Sequence, residues 1–81
     1  MDIKVLGVGC TRCRELEKRT INALAELGVA ADVRKVTEMK DIMAFKVMGT
    51  PALVVEGRVK CTGRIPSVQE IKTWITEARP A

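Results

Sequence analysis

Residues 2–36 present a strand pattern, a helix pattern and a second strand pattern in direct succession, and this order constrains the fold more than any other feature of the chain. In Asp2-Ile3-Lys4-Val5-Leu6-Gly7-Val8, Ile3 and Val5 share one face while Leu6 and Val8 share the other, the pattern of a central strand covered on both sides. From Thr11 to Leu27 the positions Cys13, Leu16, Thr20, Ala23 or Leu24, and Leu27 recur at spacings of three and four. Gly28 follows, where helices commonly end in a left-handed residue. Residues 29–36 alternate less cleanly, with Ala31 and Val33 against Asp32 and Arg34, and the charged face suits a sheet edge. Such a β-α-β unit is expected to be right-handed, with its strands parallel.

The remaining residues complete the sheet. Residues 37–46 are expected to form a short helix capped by Thr37, with Met39, Ile42, Met43 and Phe45 on its apolar side and Gly49 and Pro51 ending it. Residues 52–55 and 58–62 flank Glu56-Gly57, a spacing that predicts an antiparallel hairpin. Strict alternation there places Val59 and Cys61 on one face. Ser67-Val68-Gln69-Glu70 is a capping box, and Val68, Ile71, Ile75 and Ala78 continue at helical spacing until Pro80. The predicted fold is therefore α/β, in the order β-α-β-α-β-β-α, with a four-stranded mixed sheet and helices on both faces. At 81 residues, and without repeat, linker or low-complexity segment, residues 1–81 make a single domain with one core.

Charge and composition narrow the function. The net charge is +4, but the basic residues are interspersed with acids, as in Arg14-Glu15-Leu16-Glu17-Lys18-Arg19, which describes a solvated helix face. Phe45 and Trp74 are the only aromatic residues, too few for base stacking, so nucleic acid is not an expected partner. Trp74 is read as packing rather than chemistry. No apolar run approaches the roughly 20 residues that span a bilayer, and no charged segment, apolar stretch and cleavage site open the chain. A cytoplasmic monomer without a membrane partner is expected. Three cysteines, two of them separated by two residues, do not suit a secreted disulfide framework and direct attention to redox or metal chemistry.

Cys10-Thr11-Arg12-Cys13 lies where the first strand gives way to the first helix. A thiol at that junction faces unpaired backbone N–H groups and the positive end of the helix dipole, which favour its thiolate. Arg12 and Arg14 add positive charge, so Cys10 is the expected nucleophile of disulfide exchange and these arginines tune its pKa. Cys13, one turn further on and on the apolar helix face, is the expected resolving thiol. Two other readings stay open. Cys10 and Cys13, with or without Cys61, could carry a thiophilic metal or metalloid, although no His is available to complete a ligand set. The pair could instead form a redox switch on an interaction module. A buried small apolar side chain accounts for Cys61 in its simplest role. No cofactor is expected.

With Gly9-Cys10-Thr11-Arg12-Cys13, Val47-Met48-Gly49-Thr50-Pro51-Ala52, Glu56-Gly57 and Gly63-Arg64-Ile65-Pro66-Ser67 together, the chain resembles the small prokaryotic thioredoxin-like or glutaredoxin-like redox-active disulfide proteins. The resemblance covers nearly the whole chain. It implies a minimal thioredoxin fold and a redox disulfide between Cys10 and Cys13. It also implies a cis Pro51 beside the sulfurs, a Thr50 backbone that pairs with an extended substrate, and Gly63 on the same rim. The implied partners are a protein disulfide and a reductase or low-molecular-weight thiol that returns electrons. Thioredoxin itself has Trp before the first cysteine and a buried acid on the central strand, where this chain has Gly9 and Lys4.

Overall fold

The first strand, β1 (Asp2–Leu6), decides the layering because its side chains are buried on both faces. The computed structural model describes residues 1–7, 11–47 and 49–78; Val8, Cys10, Met48 and Pro80, on which expectations were placed, lie outside them. Ile3 and Val5 pack with Leu16, Ala23 and Leu24 of α1 (Thr11–Leu27) and with Ile71 and Ile75 of α3 (Val68–Ala78). Leu6 turns the other way and packs with Ile42 of α2 (Met39–Ala44) and with Ala52 and Val54. The result is α1 and α3 on one face of the sheet and α2 on the other.

The sheet order is β2-β1-β3-β4. β2 (Asp32–Val36) runs parallel to β1 and lies at the edge, as its charged face predicts. β3 (Ala52–Val55) is antiparallel to β1, with Leu6 opposite Ala52, and β4 (Arg58–Thr62) closes the hairpin. Helix α1 stops as expected, with Gly28 at φ 66°. The strand expected from residue 29 begins only at Asp32, because Val29 N–H is used to close the helix end on Leu24 O.

Three further expectations need correction. The helix expected over residues 37–46 is shorter, and its N-cap is Glu38, whose carbonyl accepts from Asp41 and Ile42 N–H, rather than Thr37. Of its expected apolar side only Ile42 is buried and Phe45 partly so; Met39 and Met43 are 56% and 66% exposed. At 3.6 residues per turn these two lie about 60° and 100° round from Ile42 on the side away from Phe45. The third correction concerns β4. Leu53 pairs with Cys61 and the next residue, Val54, pairs with Val59, so Lys60 is an extra residue in a β-bulge. The bulge breaks the alternation and sends Cys61 to the α1/α3 face, at 6% exposure, while Val59 shares the face of Val54.

The hairpin turn and the cap of α3 follow the sequence. Glu56 and Gly57 both have positive φ, 50° and 78°, the requirement of a tight hairpin turn matched to strand twist. Ser67 Oγ accepts from Glu70 N–H at 3.1 Å while Glu70 Oε1 accepts from Ser67 N–H at 3.1 Å, so the capping box is complete. Ser67→Ala leaves one N–H of α3 without its partner and is expected to lower stability by about 1 kcal/mol, measured as a shifted urea midpoint at unchanged slope.

Candidate functional site

At one end of the sheet the end of β1, the first turn of α1 and the segments that enter β3 and leave β4 come together, because Leu6, Ala52 and Thr62 are cross-strand neighbours there. Cys10 lies outside the described residues. Cys13 is 6% exposed, on the α1 face that packs against the sheet. Gly7 continues the face of Ile3 and Val5, and a Cβ on Gly7 would overlap Cys13 Sγ. Its φ is not among the positive ones, so glycine serves space here and not backbone freedom. The same Cβ position lies 3.9 Å from Thr50 Cβ, which places Thr50 beside the Cys13 sulfur.

The rim opposite α1 is built from two short segments. The Thr50-Pro51 peptide is cis and the Pro51 side chain is buried. Pro51 O accepts from Gly63 N–H at 2.9 Å, and Gly63 O accepts from Arg12 Nη2 at 3.1 Å. Gly63 has φ 72°, a conformation glycine tolerates, and is thus fastened on both sides, to the proline segment and to the first turn of α1. Arg14 is exposed, and no carboxylate pairs with it among the described residues. The structure therefore brings Arg12, Cys13, Thr50, Pro51 and Gly63 to one end.

Below the rim Cys61 S–H donates to Arg64 O at 3.4 Å. Arg64 grips Glu70 with two nitrogens, at 3.2 and 2.8 Å. That hydrogen bonding, followed by the Ser67 N–H, holds the Glu70 carboxyl at about 2, below its usual 4.5, and Glu70 in turn raises Arg64. Among the described residues no three His, Cys, Asp or Glu gather to hold a metal; a set of three thiolates would require Cys10, outside them.

Gly7 is the site residue that sequence reasoning missed. A glycine within a strand pattern marks close approach of another group, and that signal was present, but nothing in the pattern named Cys13 as the group. Lys4 lies on the other sheet face, where Asp2 Oδ2 accepts its ammonium at 2.9 Å and the Phe45 ring centroid is 5.6 Å away. A hollow lined by Val55, Glu56, Arg58, Lys60, Glu77 and Ala78 lies at the end of the sheet opposite Cys13 and Thr50.

A family model for the thioredoxin domain matches residues 1–76. The chain belongs to the thioredoxin family. It is 40% identical over 72 residues to a thioredoxin of Methanothermobacter thermautotrophicus, which covers 89% of this chain and 94% of that protein. It is 36% identical over 70 residues to a thioredoxin of Methanocaldococcus jannaschii, 86% of this chain and 80% of that one. These relatives place the chain in a family of thiol-disulfide oxidoreductases, and the four-stranded mixed sheet is a minimal form of the thioredoxin fold. No helix among the described residues is long and apolar enough to cross a membrane.

Two outcomes follow for this thioredoxin-family site. Gly7→Ala drives a methyl group into the Cys13 sulfur and is expected to cost about 1–3 kcal/mol in urea unfolding of the reduced protein. The cost shrinks in a Cys13→Ala background, since a double-mutant cycle isolates the contact. The depressed Glu70 carboxyl makes the second. Its contribution to stability is present above the unfolded value of 4.5 and is lost as pH falls through about 2. Thermal unfolding across that window is expected to show a shallower acid limb for Glu70→Gln, by a small and salt-sensitive amount because both partners face solvent.

Proposed function

We propose that the chain reduces protein disulfides through Cys10 and Cys13. The Cys10 thiolate attacks one sulfur of the partner's disulfide. That S–S bond breaks, a Cys10–partner disulfide forms, and the departing partner thiolate takes a proton from solvent. Cys13 then loses its proton and attacks the Cys10 sulfur, forming the Cys10–Cys13 disulfide and releasing the second partner thiolate, which is protonated in turn. Two electrons and two protons have passed to the partner. A reductase or a low-molecular-weight thiol returns them, in the cytoplasm, to a monomeric carrier.

The observation that carries this reading is the Cys13 sulfur seated against Gly7 beside Thr50 in the first turn of α1. A buried sulfur at that place suits a resolving thiol, which must reach Cys10 yet stay away from disulfides and oxidants in solution. Arg12 and Arg14 and the helix start favour the thiolate of Cys10, Thr50 offers backbone to an extended segment, and Pro51 and Gly63 complete the rim.

Alkylation with a neutral thiol reagent across pH is expected to modify Cys10 with a midpoint well below the ordinary value of about 8.5, ahead of Cys13 and Cys61. Cys10→Ser abolishes turnover of a protein disulfide in the presence of a reductant. Cys13→Ser retains the first attack and accumulates a mixed disulfide, visible by intact mass. Peptide mapping of the oxidised protein is expected to join Cys10 to Cys13 and leave Cys61 reduced. Slow, equal labelling of all three thiols would remove this mechanism.

A further inference from the structure

The charges around the site are distributed unevenly. The first turn of α1 holds no acid. Further along, Glu15 is taken by Arg19 at 3.0 Å and Glu17 by Lys35 at 3.5 Å, and Glu70 is held by Arg64. Arg12 and Arg14 are left exposed, with no carboxylate on either among the described residues. Arg12 differs from Arg14 in being fixed: Nη2 donates to Gly63 O at 3.1 Å, and Gly63 N–H in turn binds Pro51 O at 2.9 Å. A guanidinium has five N–H donors in a planar fork, and one bond to a carbonyl leaves most of them unused. Its fork matches a carboxylate, and an anchored side chain gives up less conformational freedom on binding than a free one.

We infer that Arg12, held on Gly63, is a specificity-determining residue that favours redox partners carrying Asp or Glu beside their disulfide. The inference rests on the disulfide exchange proposed above and adds the chemical class of partner. An extended segment lying along Thr50 runs beside the same rim to which Arg12 is tied, so a carboxylate flanking the reacting cysteine completes the fork. Arg14, exposed and unanchored, contributes a diffuse field without that geometry.

Two synthetic disulfide-linked peptides that differ only in Glu or Gln next to cysteine test this. The quantity read is the ratio of their kcat/KM values with one and the same protein, because the reactivity of Cys10 cancels in that ratio. The native protein is expected to favour the Glu peptide about three- to fivefold at low salt, the scale of an exposed ion pair. The ratio falls towards one in about 0.5 M salt and in Arg12→Gln, and is only partly kept in Arg12→Lys, which has charge without the fork. Equal ratios in the native protein, or a preference that survives Arg12→Gln, would overturn the inference, as would a preference lost in Arg14→Gln alone. Failure to turn over either peptide would overturn the oxidoreductase reading instead. The charge preference is then read from the same peptides with Ser in place of each Cys, by NMR titration of the Gly63 amide: a larger shift with Glu supports it and equal shifts refute it.

Discussion

The burial of β1 on both of its faces is the constraint from which the rest of the structure follows. Ile3 and Val5 require a layer on one side, supplied by α1 and α3, and Leu6 requires one on the other, supplied by α2. Once β1 is central, β2 and β3 must flank it, and the end at which β1 stops becomes the place where α1 starts and β3 begins. The cysteine-bearing turn and the Thr50-Pro51 segment are neighbours for this reason, although Thr50 lies 37 positions after Cys13 in a chain of 81.

That end of the molecule is held by backbone as much as by side chains. Gly7 lets the Cys13 sulfur approach the strand, and Gly63 offers its N–H to one segment and its carbonyl to another. The two glycines act for different reasons, one for lack of volume and one for its positive φ. Arg64, Glu70 and Ser67 fasten the chain just beyond Gly63 to the start of α3, so the rim is tied to an element buried in the core.

Much of this was legible in the sequence because it depends on short-range pattern. The two-sided strand at Ile3, Val5 and Leu6, the helix stop at Gly28, the hairpin at Glu56-Gly57 and the capping box at Ser67 and Glu70 all rest on residues within a few positions of one another. What was hidden depends on contacts distant in sequence or on register. Nothing local says that Arg12 meets Gly63, 51 residues away, or that the space left by Gly7 is filled by Cys13. The bulge at Lys60 escaped because alternation assumes one residue opposite one, and Met39 and Met43 stand exposed because so short a helix has only Ile42 and Phe45 to turn inward.

The extra residue in β4 also bears on what the sheet offers at its edge. An outer strand offers unpaired N–H and C=O groups to any passing strand, and a regular, flat one invites continuous pairing. β4 interrupts that template at Lys60 and carries Arg58 beside it, while the opposite border of the sheet, β2, carries Asp32, Arg34 and Lys35. Both margins thus offer a passing strand an interrupted or charged border, which disfavours growth into a larger sheet.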